Sequence, residues 1–103
     1  EKNKELVELL LDQKANVNTI DNYNRTPLYY ASGIENESIL NILLKYNPDA
    51  LIPSMNGITP LMHSFKCNNY KTTRLLILYD PTHVHRKVLD GSLLHWILKN
   101  YKE

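Results

Sequence analysis

The chain has 103 residues, 43% apolar and 22% charged, with a formal charge of +1, which predicts one compact domain and excludes a typical two-domain enzyme. Cys67 is the single cysteine, so a disulfide-stapled secreted protein is excluded and a reducing, intracellular compartment is favoured. Twelve basic and eleven acidic residues, interspersed along the chain, disfavour nucleic-acid binding by bulk charge, and every apolar run is too short to cross a membrane.

A repeat of fixed period organises the chain. The tripeptide Thr26-Pro27-Leu28 recurs 33 residues later as Thr59-Pro60-Leu61. After another 33 residues comes the weaker copy Ser92-Leu93-Leu94. Apolar-rich blocks at 6–11, 39–44 and 72–77 follow the same period without insertions. Two blocks that stay in phase over three copies predict an array of stacked units.

The spacing of apolar residues predicts two short helices in each unit, joined by turns. In chain order, a second helix covers 5–11, a first helix begins at Thr26, a second helix covers 39–44, and a first helix begins at Thr59. Threonine can accept a free backbone N–H at a helix start, and proline suits the next position. The expected buried positions of the first helices are Leu28 and Ala31, Leu61 and Phe65, and Leu94 and Ile97. Turn-forming residues at 21–25 and 53–58 predict the loops between units.

These blocks resemble a known family. TPLYYA (26–31), TPLMHS (59–64) and SLLHWI (92–97) are similar to the TPLHxA box of the ankyrin repeat, and ELVELLLDQKANVN (5–18) is similar to its second helix and the approach to the next hairpin. The resemblance covers essentially the whole chain. It implies an all-α fold, an ankyrin-repeat solenoid of stacked helix-turn-helix units joined by β-hairpin loops.

The resemblance also gives repeat boundaries. Residues 1–18 are the second half of a repeat, 19–51 and 52–84 are full repeats, and 85–103 are the first half of another. Several glycines of the family are replaced. Asn24 stands where the next copy has Gly57, and Lys14 and Asn47 follow the second helices, while Asn68 follows a first helix. The segment 83–87, which holds the third hairpin in this frame, departs furthest from the family pattern.

About three stacked units are needed before the shared core offsets the entropy lost on ordering. In this frame Leu6, Leu9 and Leu10 lack a preceding half-repeat, and Trp96 to Leu98 lie in an unpaired first helix. We therefore expect a segment of a longer array. The alternative is end-to-end self-association through the uncapped repeats.

Chemistry-bearing residues do not form a recognisable catalytic or metal constellation. His83 and His85 have a spacing that can chelate zinc, but a tetrahedral site requires His63, His95 or Cys67 to converge on them. The resemblance places His95 at the structural histidine of the TPLH box. A Cys67 nucleophile lacks an orienting group and an oxyanion feature. We expect no metal, no cofactor and no enzymatic activity, with a zinc-binding or thiol enzyme as an alternative.

The resemblance implies a concave binding face made of hairpin tips and exposed first-helix positions. Tyrosine and arginine are typical interface anchors, and methionine offers adaptable apolar area. The sequence therefore predicts a module that binds a protein partner, and neither a small-molecule substrate nor a nucleic acid. A spacer segment of a longer solenoid is the alternative. Packing of Met55 or Ile58 against its own hairpin stays open, and Tyr29 and Tyr30 are expected to pack between units. The predicted partner-binding residues are Asn22, Tyr23, Arg25, Ile34, Met55, Asn56, Ile58 and Lys66.

Two further expectations come from the resemblance alone. In ankyrin arrays an asparagine after the second helix is a target of asparaginyl hydroxylation, and Asn18 matches that position; a hydrogen-bonded turn residue is the alternative.

TPLYYASG (26–33) resembles boxes in poxvirus ankyrin proteins, whose arrays recruit host proteins. This implies a host–virus interaction in the cytoplasm of the host cell, and effector ankyrins of protozoa or bacteria share the compositional bias.

Overall fold

A computed structural model describes residues 2–35, 37–79 and 90–101. In that part of the chain α2 packs on α3 and on α4, α4 packs on α5, and α1 packs on α3. First helices thus lie beside one another with second helices behind them, and the all-α solenoid predicted from the sequence is confirmed. The described helices are α1 (Lys2–Asp12), α2 (Pro27–Ser32), α3 (Ser38–Leu44), α4 (Pro60–Lys66), α5 (Tyr70–Tyr79) and α6 (Asp90–Lys99).

The first helices α2 and α4 begin where the sequence predicts. Thr26 and Thr59 are the N-caps, each with extended backbone and each followed by a proline. The Thr26 hydroxyl oxygen accepts the N–H of Tyr29 at 3.2 Å, and that of Thr59 accepts the N–H of Met62 at 3.3 Å. A side-chain oxygen at this position pairs a backbone donor that has no partner within the helix.

Helix ends and hairpin turns use left-handed backbone where the family has glycine. Lys14, Asn47 and Asn68 follow α1, α3 and α4 with φ values of 69°, 53° and 60°. In the hairpins, Asn24 (φ 61°) and Gly57 (φ 76°) occupy equivalent positions. Asparagine tolerates this conformation better than most residues, which explains why it replaces glycine three times here.

The two described hairpins are tight turns without a β ladder. The N–H of Asp21 donates to the carbonyl of Arg25 at 3.1 Å, and the N–H of Ser54 donates to the carbonyl of Ile58 at 2.9 Å. No strand is assigned within residues 2–35, 37–79 and 90–101. The N–H groups of Asn24 and Gly57 also donate to the carbonyls of Asp21 and Ser54, at 3.0 and 2.8 Å. The β-hairpin expected from the resemblance is therefore reduced here to a turn with two backbone hydrogen bonds in each unit.

The core lies between the units and is filled mainly by leucines. Leu28, Leu40, Leu61 and Leu76 are fully buried, and burying one such side chain contributes about 1.5–3 kcal/mol. The unit containing α4 and α5 has a more polar interior than the unit before it. Its buried polar residues include Ser64, Asn69, Thr72 and Thr73.

Asn69 connects the two central units. Its side-chain nitrogen donates to the carbonyls of Ser32 at 3.1 Å and Ile34 at 2.8 Å. Both carbonyls lie at the end of α2, where a helix leaves acceptors without partners. One side chain of the following unit therefore satisfies the end of the preceding first helix.

The last described helix differs from the repeat frame. Ser92 lies inside α6, which spans Asp90–Lys99, whereas Thr26 and Thr59 precede their helices. Leucine stands in place of proline at 93, so the restraint that sets the start of α2 and α4 is missing. Leu94, predicted to be buried, is 61% exposed, because no second helix follows α6 among the described residues. Trp96 and Ile97 pack against the core instead.

The first described helix leaves apolar surface uncovered. Leu6, Leu9 and Leu10 are exposed, as expected for an end unit. Self-association through this face stays a prediction, as do the repeat boundaries. The third hairpin, with His83 and His85, lies outside the described residues. None of the described helices has the length and apolar character needed to cross a membrane.

The polar interior gives a matched pair of tests. The Thr72 hydroxyl is buried without a hydrogen-bond partner among the described residues, so Thr72→Val should raise the free energy of unfolding by about 1 kcal/mol. The Thr73 hydroxyl is 2.7 Å from that of Ser64, so Thr73→Val should lower it by about 1 kcal/mol. Urea unfolding followed by circular dichroism measures both. Equal effects of the same sign would contradict this account of the interior.

Candidate functional site

The two described hairpins stand side by side and enclose an open groove. The N–H of Met55 donates to the carbonyl of Tyr23 at 2.9 Å, and the Asn24 side-chain nitrogen donates to the carbonyl of Pro53 at 2.7 Å. These two bonds connect one hairpin directly to the next. We call the space between them the hairpin groove; its lining residues are Asn22, Tyr23, Arg25, Ser54, Met55 and Asn56.

Each hairpin tip is held by one side-chain oxygen at its first position. Asp21 Oδ1 accepts the N–H groups of Tyr23 and Arg25, both at 2.9 Å. Ser54, which holds the same position in the next repeat, has its Oγ 3.3 Å from the backbone nitrogens of Asn56 and Ile58. These local bonds order the backbone that carries the groove side chains.

Asp21 also anchors a side chain from α2. Its Oδ2 accepts a hydrogen bond from the Tyr30 hydroxyl. This bond, together with the N–H of Arg25, lowers the pKa of the Asp21 carboxyl below its usual value, because both donors stabilise the anion. Both carboxylate oxygens of Asp21 are thus used within its own unit.

Arg25 lies among three tyrosine rings. Its guanidinium carbon is 5.0 Å from the ring centre of Tyr23, 5.2 Å from that of Tyr29 and 5.9 Å from that of Tyr30. A cation over aromatic faces is stabilised by the ring quadrupole. A guanidinium keeps its charge in proteins, and the hydrogen bond with the Tyr30 hydroxyl raises the pKa of Arg25 above its usual value.

His63 connects the two first helices. Its ring stacks on that of Tyr29 with centroids 4.1 Å apart and planes 13° apart. A Cβ at Gly33 would lie 2.7 Å from His63 Nε2, so a larger residue at this position would require the His63 ring to shift. Burial lowers the pKa of His63, and the positive charges of Arg25 and Lys66 lower it further.

The predicted binding residues separate into two groups in space. Asn22, Tyr23, Arg25, Met55 and Asn56 converge on the hairpin groove, with Tyr23 59% and Met55 71% exposed.

The remaining three residues do not line the groove. Ile58 is half-buried and packs against the core, so of the two apolar residues left open by the sequence, Met55 faces solvent and Ile58 supports the fold. Ile34 is exposed after the end of α2. Lys66 is exposed at the end of α4, beside Phe65 and Tyr70.

Sequence reasoning missed how α2 contributes to this surface. Tyr29 is buried and stacks on the next unit, as predicted, but Tyr30 is exposed and turns back to Asp21. The prediction that Tyr30 packs between units was wrong, because its hydroxyl reaches the hairpin of its own unit. The sequence did carry one signal: both tyrosines lie in α2, which begins at Pro27, only two residues after Arg25 of the hairpin.

Chemistry-bearing groups do not assemble elsewhere in the described part of the chain. No group of three or more His, Cys, Asp or Glu side chains converges there. Cys67 is exposed at the C-cap of α4 with its Sγ 3.8 Å from His63 Nε2. Because zinc sites usually require three or four protein ligands, this pair alone is insufficient. The expectation of no metal and no cofactor stays a prediction.

Asn18 has a structural role between adjacent units. Its side-chain oxygen accepts the N–H of Asp49 at 2.8 Å, and its own N–H donates to Asn16 Oδ1 at 2.8 Å. The side chain therefore links equivalent loop segments of the two units. Its hydroxylation stays a prediction.

Comparisons with known proteins agree with this architecture. The family model for ankyrin repeats, in three copies, matches residues 1–88. The chain is similar to an ankyrin repeat protein of fowlpox virus, at 32% identity over 70% of the chain and 11% of the relative, and to a second at 29% identity over 85% and 62%. It is also similar to an ankyrin repeat protein of Acanthamoeba polyphaga mimivirus, at 35% identity over 84% of the chain and 11% of the relative. The chain thus spans about a tenth of two of these relatives.

The lowered pKa of His63 predicts a pH dependence of stability. Because the folded pKa lies below the unfolded value of about 6.5, the unfolded chain binds more protons between the two values. The contribution of neutral His63 is therefore fully present above about pH 6.5 and is lost as the pH falls through the folded pKa. Urea unfolding of the wild type and of His63→Gln at several pH values measures it. The wild-type curve should fall more steeply on acidification, and parallel curves would contradict the prediction.

Proposed function

The chain belongs to the ankyrin-repeat family, and from that premise we propose that it is a non-enzymatic module that binds a partner protein in the hairpin groove. Ankyrin repeats are in general protein-interaction modules, and the family is generally non-enzymatic. The observation that carries the proposal is the pair of large, exposed side chains, Tyr23 and Met55, on adjacent hairpins joined by a backbone hydrogen bond.

The ordered backbone of the groove favours binding. Asp21 and Ser54 hold the two turns through their side-chain oxygens, and Ile58 fixes the second hairpin to the core. A surface ordered before association loses less conformational entropy on binding. Tyr23 and Met55 then provide apolar contact area in its centre, with Asn22 and Asn56 as polar groups at its edge.

Ile34 and Lys66 extend the proposed surface along the first helices. Both are exposed and lie at the far ends of α2 and α4, away from the hairpins. A partner long enough to follow the first helices would reach them after filling the groove. We assign them a secondary contribution, because neither lines the groove itself.

The viral origin of some similar proteins supports a proposal about the partner. Ankyrin proteins of fowlpox virus and of a mimivirus are among those similar to this chain. We propose a protein of a host cell as the partner and the cytoplasm as the location, where an exposed Cys67 would remain reduced.

A spacer function is the second candidate. It is favoured by the small share of two relatives that the chain spans, since one part of a long array can serve only to separate others. Recovery of no partner by affinity capture with crosslinking mass spectrometry, while the longer parent protein binds elsewhere, would support the spacer.

The double variant Tyr23→Ala with Met55→Ala tests the binding proposal. Both side chains are exposed, so we expect an unchanged melting temperature and a Kd for the captured partner raised at least about tenfold. Isothermal titration calorimetry measures the affinity, and circular dichroism measures the melting temperature.

A matched control removes similar area elsewhere. Leu78 and Tyr101 are about as exposed and lie on α5 and after α6, outside the groove. Leu78→Ala with Tyr101→Ala should leave the Kd unchanged. Equal losses for both double variants, or none for Tyr23 and Met55, would refute the hairpin groove as the binding site.

Asn18 gives a separate test of modification. Its side-chain oxygen is engaged by Asp49, so an asparaginyl hydroxylase must first open that bond. We expect intact mass spectrometry after incubation with such an enzyme to show a gain of one oxygen atom that is lost in Asn18→Gln. An unmodified wild-type chain would leave Asn18 with its structural role alone.

A further inference from the structure

The guanidinium of Arg25 has hydrogen-bond donors that indicate which kind of ligand would suit the hairpin groove. A guanidinium has five N–H donors in one plane. Arg25 Nε is buried and has no hydrogen-bond acceptor among the described residues. The Tyr30 hydroxyl is a hydrogen-bond partner of this group.

The nearest acidic side chain cannot supply the missing acceptors in its present geometry. Asp21 uses Oδ1 for two backbone N–H groups of its hairpin and Oδ2 for the Tyr30 hydroxyl. Turning this carboxylate toward Arg25 would break the bonds that shape the hairpin. Nε itself is buried, so an acceptor from outside the chain would approach the two terminal nitrogens of Arg25, whose half-buried side chain lines the groove.

The orientation of the guanidinium is fixed before any ligand arrives. The rings of Tyr23, Tyr29 and Tyr30 surround it at 5.0–5.9 Å, and Tyr29 is itself held by stacking on His63. A planar fork held in one orientation matches the two oxygens of a carboxylate better than a flexible ammonium does.

The apolar part of the groove adjoins this fork. Tyr23 touches both features, since its ring lies beside Arg25 and its carbonyl accepts the N–H of Met55. We propose that the groove binds a protein segment carrying an Asp or Glu carboxylate on Arg25, next to an aliphatic or aromatic side chain between Tyr23 and Met55. The inference rests on the proposed function and adds the chemistry of the partner.

Selection from a random peptide library displayed on phage tests this specificity directly. The immobilised wild-type chain should enrich peptides with Asp or Glu beside an apolar residue. Synthetic forms of the selected peptides are then compared with copies in which Asp is replaced by Asn or Glu by Gln. We expect the amide copies to bind at least about tenfold more weakly by fluorescence anisotropy.

Variants of Arg25 separate fork geometry from charge. Arg25→Lys keeps the charge but loses the planar fork. It should therefore weaken the binding of the acidic peptides at least about tenfold and leave the binding of the amide copies unchanged. Lys45→Gln, which removes an exposed charge at the end of α3, is the control and should leave both unchanged. Melting temperatures establish that each variant is folded.

The outcomes distinguish this inference from the proposed function. Enriched peptides without acidic residues, whose binding is lost in Tyr23→Ala with Met55→Ala but kept in Arg25→Lys, would overturn the carboxylate ligand and leave the groove as a binding site. Acidic peptides that bind Arg25→Lys as tightly as wild type would overturn the role of the fork. Enrichment of no peptide would count against both.

Discussion

Packing of α2 against α4 is the interaction on which the rest of the structure depends. Leu28 and Leu61 occupy equivalent positions in these helices and are almost completely buried. The two helices have six and seven residues, too few to be stable alone in water. Burial between units, with α3 and α5 behind, therefore keeps both helices formed. It also fixes how far apart the hairpins that precede them can lie.

The same packing determines the character of the candidate site. Each hairpin leads through a threonine N-cap into a first helix, so the backbone that lines the groove is joined directly to helices packed in the core. Tyr29 links the core to the site. It is buried and stacks on His63 of the next unit, and its ring also lies beside Arg25. A rigid scaffold that carries its contact residues on short loops is a common solution for recognition, since the loops can vary without altering the core.

The two central units do not contribute equally to stability. Where the first has Ala31, Ile39 and Leu40, the second has Ser64, Thr72 and Thr73 at equivalent positions. The second unit therefore buries less apolar area and depends more on hydrogen bonds, which contribute less per group. Local opening should begin there rather than around α2 and α3. One of the two hairpins of the groove belongs to this unit, so the stability of the unit and the binding proposed for the groove are coupled.

The sequence by itself determined the period, the starts of α2 and α4, and the left-handed positions at the hairpins. These features are local, because a threonine cap, a proline or an asparagine in a turn acts within a few residues. Five of the eight predicted partner-binding residues line the hairpin groove, and their role in binding stays a prediction.

Only the tertiary structure decided which side chains point where. In the folded chain Ile58 packs against the core, whereas Met55 and Leu94 are exposed. The Tyr30 hydroxyl donates to Asp21 of its own unit. Each of these outcomes depends on what the neighbouring hairpin or helix covers, and contacts between residues distant in sequence leave no local pattern from which they could be predicted.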